Sequence, residues 1–126
     1  MADSVQALID ELLAAMATDP RGLQPLVSDD VVLLGTDPGE EFEGGEAIVA
    51  AMVAQQDALG PARWTSEGDR RLRQRGDVAW FVEHGRLDFD AGGARVRLSG
   101  VAVRDPEGWR VAQAQVAPVE APAALA

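Results

Sequence analysis

The fold of this chain is decided by residues 76–116, which read GDVAWFVEHGRLDFDAGGARVRLSGVAVRDPEGWRVAQAQV. Aromatic and β-branched residues recur through the stretch, and two clusters of turn-forming residues interrupt them. The pattern predicts three strands, Val78–Phe89, Ala94–Arg104 and Trp109–Val116, joined by short turns. Strands joined in this way pair antiparallel, so the pairing register decides which side chains share a face.

The register follows from the turns. A turn over 90–93 pairs Glu83 with Gly100, and a turn over 105–108 pairs Gly100 with Gln113. The first predicted face carries Ala79, Phe81, Glu83, Gly85, Leu87, Phe89, Leu98, Gly100, Val111, Gln113 and Gln115. The second carries Trp80, Val82, His84, Arg86, Val101, Val103, Ala112, Ala114 and Val116.

The first face suits a ligand pocket. Its large aromatic side chains fit packing against helices, and the missing side chains of Gly85 and Gly100 leave space beside Glu83. A carboxylate next to such a space indicates a cavity wall. The ligand-binding residues predicted for this pocket are Phe42, Met52, Trp64, Phe81, Leu98, Gln113 and Gln115.

The second face is apolar in its middle, which is unusual for a sheet surface in water. A large exposed apolar patch is typical of a protein interface. A symmetric homodimer through this outer face would bury it, and we expect that dimer.

The rest of the chain places helices before the long strands. The predicted elements are a helix that Asp3 or Ser4 caps and Asp19 ends, a helical turn over 23–27, strands over 31–34 and 41–43, a helix over 47–59 and a strand over 63–75. Helices on one side of a strongly bent antiparallel sheet define an α+β fold. We expect one domain over residues 1–118 and a loosely attached tail over 119–126.

Composition excludes several partners. The 126 residues carry 21 acidic and 11 basic side chains, a net charge of -10, and no long basic run, which argues against nucleic acid. The N-terminus lacks the pattern of a signal peptide, and no stretch reaches the roughly 20 apolar residues that span a bilayer. We therefore expect no membrane partner and a cytoplasmic protein.

Neither a metal nor a cofactor is expected. The chain has no cysteine, so it has no thiolate ligand and no cysteine nucleophile. An acidic cluster lies in residues 37–46, but it lacks the alternating ligand spacing of a calcium loop.

Glu83 is the candidate catalytic residue. A carboxylate in an apolar cavity is suited to act as a general acid or base. The alternative is a structural ion pair with Arg70, which a hairpin at 74–77 would place on the same face. His84, the single histidine, falls on the outer face beside Ser99, away from the predicted pocket.

Three segments carry a family resemblance: GTDPGEEFEG over 35–44, GDVAWF over 76–81 and GWRVAQAQVAP over 108–118. Their order and spacing over residues 5–118 resemble the SnoaL-like branch of the nuclear transport factor 2 (NTF2) superfamily. The resemblance implies an NTF2-like cone, with helices packed on a strongly curved antiparallel or mixed sheet. It further implies dimers through the outer sheet face and a ligand pocket at the wide end. Members include ketosteroid isomerases, polyketide cyclases and dehydratases, so the fold does not name a reaction.

The chain departs from several catalytic patterns of that superfamily. Gln115 and Ala117 stand where related sequences often have histidine and serine, and the chain has no tyrosine to serve as an oxyanion donor. Two hypotheses stay open. The protein binds a small hydrophobic molecule, with Glu83 as acid or base in an isomerisation, cyclisation or dehydration, or it is a non-catalytic dimeric binding or assembly module.

Overall fold

The computed structural model describes residues 3–119. The predicted tail over 119–126 lies outside this range except for Val119. The helices are α1, Val5–Thr18, and α2, Gly45–Leu59, with a 3₁₀ helix, Pro20–Leu26, after α1. The strands are β1 Val27–Leu34, β2 Glu41–Glu43, β3 Arg63–Ser66, β4 Arg71–Arg75, β5 Val78–Phe89, β6 Gly92–Asp105 and β7 Gly108–Pro118. Among the described helices, none is long and apolar enough to cross a membrane.

Helix α1 forms where its sequence pattern predicts. Ser4 caps it, because the Ser4 hydroxyl accepts a hydrogen bond from the Ala7 backbone N–H at 3.1 Å. Apolar residues three or four apart form one buried stripe. Its buried members are Val5, Leu8, Ile9, Leu12 and Leu13. The stripe packs into a core shared with the sheet.

The strands form one mixed sheet in the order β2-β1-β7-β6-β5-β3, and β4 also pairs with β5. Strands β1 and β7 run parallel, while the other pairs are antiparallel. The strand predicted over 63–75 is interrupted between Ser66 and Arg71, so β3 and β4 pair with different halves of β5. Helices packed on one face of this sheet make the α+β cone that the sequence predicts.

The turn between β5 and β6 is shorter than predicted. Phe89 pairs with Gly92, so the turn contains Asp90 and Ala91 alone. Gly92 has φ +136°, a conformation that favours glycine. The predicted β5–β6 register is therefore wrong by two residues: Glu83 lies opposite Leu98 rather than Gly100. A shift of two leaves each side chain on its predicted face.

A β-bulge in β7 changes the predicted faces of side chains, which the shift between β5 and β6 does not. Val111 pairs with Ala102, but Gln113 pairs with Val101, so Ala112 is an extra residue. Beyond it the side chains exchange faces. Ala114 and Val116 are buried on the inner face at 4% and 9% exposure, opposite to their predicted placement.

Candidate functional site

A cleft of about 940 Å³ lies between α2 and one end of the sheet. It is bordered by the ends of β1, β5 and β7, the start of β6 and strand β2. Its apolar part is formed chiefly by Met16, Leu33, Phe42, Met52, Leu87, Phe89, Val96 and Val116. Its polar side chains are Thr36, Asp37, Glu40 and Gln55. In the described lining, the charged groups are therefore two carboxylates.

A small apolar cavity of about 30 Å³ lies beside the cleft, towards the core. Met16, Leu33, Met52 and Val116 line both spaces, so the two are adjacent. Leu98 lines this inner cavity. Because its wall carries no polar side chain, the space is suited to an apolar group rather than to an ordered water.

The carboxylate rim is organised by the loop after β1. One Glu40 carboxylate oxygen accepts hydrogen bonds from the Asp37 backbone N–H at 2.7 Å and from the Thr36 hydroxyl at 3.4 Å. Gly35 is packed against this carboxylate, since an added Cβ would lie 3.0 Å from a Glu40 oxygen. No group of three or more possible metal-ligating side chains comes together within residues 3–119.

Glu83 is buried, at 3% exposure, in a network that joins the sheet to α1. Arg70 Nε donates to Glu83 Oε2 at 2.6 Å, and the Ser66 hydroxyl donates to Oε1 at 2.7 Å. Arg70 also donates to Asp10 on α1 at 2.8 Å, and Trp64 Nε1 donates to Ser66 Oγ at 2.9 Å. Both carboxylate oxygens of Glu83 are thus held by neighbouring side chains.

The pKa of the Arg70 guanidinium is changed by these neighbours. Burial lowers its pKa, but hydrogen bonds and charge attraction from Glu83 and Asp10 outweigh that effect, so the pKa is raised above its ordinary value. Arg70 therefore stays charged as the partner of Glu83. The ion pair that the sequence offered as the alternative to catalysis is present.

The space predicted beside Glu83 is filled. The Trp64 ring packs directly over Gly85, where an added Cβ would also lie 2.7 Å from the Thr65 carbonyl oxygen. The Phe81 ring covers Gly100, with its Cζ 3.0 Å from the position of an added Cβ. The glycines admit aromatic rings rather than a ligand, and Glu83 is not part of the lining of either cavity.

The predicted ligand-binding residues fall into separate places. Phe42 and Met52 line the cleft, and Leu98 lines the inner cavity. Phe81 and Trp64 pack over the glycines of the sheet instead. The lining residues Val116 and Leu33 are not among the predicted ligand-binding residues, and Val116 reaches the inner face only because of the bulge at Ala112.

Placement of Gln113 and Gln115 in the pocket is wrong, because the bulge at Ala112 turns both amides to the outer face. There they pair with Val101 and Ser99 of β6. A signal for the bulge is present in the sequence. Val111 and Val116 are five residues apart, so a regular strand would place these two apolar side chains on opposite faces. His84 lies on the outer face as predicted, half-buried and opposite Arg97.

Solved structures share this fold. An uncharacterised protein with a cystatin-like fold from Caulobacter vibrioides superposes with a TM-score of 0.81 at 22% identity, covering 96% of this chain and 91% of that one. A proposed dehydratase of the NTF2-like family from Streptomyces avermitilis gives 0.76 at 20% identity, with 93% and 94% covered. A proposed ketosteroid isomerase from Parabacteroides distasonis gives 0.75 at 19% identity, with 91% and 87% covered. The protein thus has the NTF2-like fold.

The family is defined more narrowly by the sequence. Residues 5–119 match the SnoaL-like domain, and the chain belongs to that family. This confirms the resemblance carried by the three segments. No curated protein matches the chain.

Proposed function

We propose that this SnoaL-like protein binds a small apolar molecule in the cleft. The observation that carries the proposal is the cleft itself, whose volume of about 940 Å³ falls at the upper end of known small-molecule sites. Part of its apolar wall, formed by Met16, Leu33, Met52 and Val116, also lines a second apolar cavity. Burying an apolar ligand there would release about 25 cal/mol for each Å² removed from water.

The polar groups suggest how a ligand would be oriented. Gln55 offers an amide that both donates and accepts, and Thr36 offers a hydroxyl. Asp37 and Glu40 add negative charge at the rim, which disfavours a ligand that carries a carboxylate. We therefore favour a neutral apolar ligand with one polar end.

Ligand binding in the cleft is better supported than a reaction in which Glu83 transfers a proton. The solved structures named above include a proposed dehydratase and a proposed isomerase, which keeps acid–base chemistry open for the family. In this chain Glu83 is held by Arg70 and Ser66 and lies outside the cavity lining. A catalytic Glu83 would have to leave both partners to meet a ligand.

The homodimer is a separate part of the proposal. Trp80 and Val78 are 40% and 43% exposed on the outer face, beside the half-buried Val101 and Val103. A second copy of the chain would cover this patch. On the sequence argument alone, we also propose a cytoplasmic location.

Equilibrium binding of Nile red, a neutral apolar dye, tests the proposed function. We expect saturable fluorescence enhancement with one dye per chain. Native mass spectrometry of the purified protein adds an independent reading, in which a small molecule retained at one per chain supports the proposal. Dye fluorescence that rises without saturation, in a protein that retains no molecule, would contradict it.

A further inference from the structure

The loop after β1, residues 35–40, forms the polar rim of the cleft and uses its own hydrogen-bond donors internally. The Gly35 N–H donates to the Glu40 carbonyl oxygen at 2.7 Å, and the Glu40 N–H donates to the Asp37 carbonyl oxygen at 3.1 Å. The Asp37 N–H and the Thr36 hydroxyl both donate to one Glu40 carboxylate oxygen, Oε1. The side-chain groups that the loop keeps for a ligand are therefore acceptors.

Three side chains of this loop, those of Thr36, Asp37 and Glu40, border the cleft with such acceptors. Among the hydrogen bonds and ion pairs of residues 3–119, none is made to Glu40 Oε2 or to the Asp37 carboxylate. A carboxylate has lone pairs and no proton to donate. The Thr36 hydroxyl directs its proton to Glu40, so its oxygen also offers lone pairs to the cleft.

The other lining side chains do not discriminate between a ligand that donates a hydrogen bond and one that only accepts. Gln55 on α2 carries an amide that donates through its nitrogen and accepts through its oxygen, so it serves either kind of ligand. The apolar wall offers neither group. The choice between the two kinds of ligand therefore depends on the loop after β1.

We propose that the cleft selects ligands whose polar end is a hydroxyl group, an alcohol or a phenol, which donates to Glu40 Oε2 or to the Asp37 carboxylate. The inference rests on the proposed ligand binding and adds the chemistry of the polar end. A ketone or an ether of the same shape would bring its lone pairs against those of the rim. Such a ligand would lose water there and gain a donor from Gln55 alone.

Two probes of nearly the same shape separate a donor from an acceptor. 2-Naphthol carries a hydroxyl that is neutral at pH 7, since phenols titrate near roughly pH 10. 2-Methoxynaphthalene carries an ether oxygen that only accepts. Apolar burial alone favours the methoxy compound by about fourfold, because it has one more carbon group to remove from water.

We expect the opposite order of affinity when the two probes displace Nile red. A hydrogen bond to a carboxylate strengthens binding by about tenfold. This gain exceeds the fourfold advantage of the methoxy compound, so 2-naphthol should bind about threefold more tightly. Equal or weaker binding of 2-naphthol, in a protein that binds Nile red with saturation, would overturn the donor preference and leave ligand binding in the cleft intact. Nile red that does not saturate would overturn the proposed function itself.

Glu40→Gln tests the contribution of the rim. The glutamine keeps an oxygen for the Asp37 N–H and replaces Oε2 by an NH₂ group that donates, so the preference for 2-naphthol should disappear or reverse. Asp37→Asn, a change at a side chain that makes no hydrogen bond within residues 3–119, should reduce the preference in the same direction. Glu43→Gln, at an exposed position outside the lining, is the matched control and should retain the preference.

Thermal unfolding confirms that each variant is folded before its affinities are compared. A preference for 2-naphthol that is unchanged in both rim variants would overturn the assignment of this selectivity to Glu40 and Asp37.

Discussion

Arg70 Nε lies 2.6 Å from Glu83 Oε2, and the same guanidinium reaches Asp10 on α1. The side chains of Arg70 and Glu83 are 15% and 4% exposed, so the pair lies largely out of water. The Arg70–Glu83 pair, together with Asp10, links three parts of the fold: the loop between β3 and β4, the middle of β5, and α1. Glu83 therefore stabilises the fold, and the cleft lies elsewhere.

Glu83→Gln should lower the free energy of unfolding by about 3 kcal/mol, because the largely buried Arg70 guanidinium would lose its buried charged partner and keep only the exposed carboxylate of Asp10. Glu67→Gln is the matched control. Glu67 pairs with Arg95 at 3.2 Å on the surface, and its loss should cost less than about 1 kcal/mol. Urea unfolding measures both. A folded Glu83→Gln variant should still bind Nile red, and loss of dye binding at unchanged stability would instead place Glu83 in the ligand site.

Gly85→Ala should destabilise the protein by about 2 kcal/mol, because its methyl group would overlap the Trp64 ring and displace it. Gly22→Ala is the comparison, since an added Cβ there meets Ala15 Cβ at an ordinary 3.5 Å. Thermal unfolding of both variants gives the difference. A Gly85→Ala variant as stable as Gly22→Ala would mean that Trp64 does not pack over this glycine.

Val101→Arg should convert the proposed dimer into a monomer, because it places a charge in the middle of the apolar outer patch. Ala47→Arg adds the same charge at an exposed position of α2 and should leave the dimer intact. Light scattering after gel filtration distinguishes the two masses. An unchanged dimer in Val101→Arg would exclude this face as the interface.

Ala51→Trp should weaken Nile red binding by at least about tenfold, because the new ring would occupy the cleft and exclude the ligand. The matched control is Ala50→Trp, which adds the same ring at the adjacent, exposed position outside the lining. Fluorescence titration compares the two. Equal affinities would show that the dye binds outside the cleft.

The sequence predicts correctly which side chains of β5 and β6 lie on each face of the sheet, although the predicted register between the two strands is wrong. Turn-forming residues over 90–93 leave the turn length open, but the alternation of apolar residues fixes each side chain to one face. The error of two residues was therefore harmless. The alternation places Glu83 on the inner face, where the structure has it, and the hairpin at 74–77 predicts Arg70 as its structural partner.

The bulge at Ala112 was beyond simple alternation. Alanine and glutamine alternate around it. Neither of the two alternating sets of side chains is therefore strongly apolar before Val116. The cleft was harder still, because it depends on how α2 packs against the ends of β1 and β5. Local pattern predicts a helix and its apolar stripe, but it does not give the distance between that helix and the sheet.

Methyl NMR of methionine tests the central claim, binding in the cleft, most directly. The chain has 3 methionines, and Met16 and Met52 line both the cleft and the inner cavity. Substitution of each by leucine assigns its ¹³C-labelled methyl signal. Nile red at saturation should shift both signals through the ring currents of the bound dye, and Ala51→Trp should abolish these dye-induced shifts. Saturable dye binding that leaves the Met16 and Met52 signals unmoved would contradict a ligand site in this cleft.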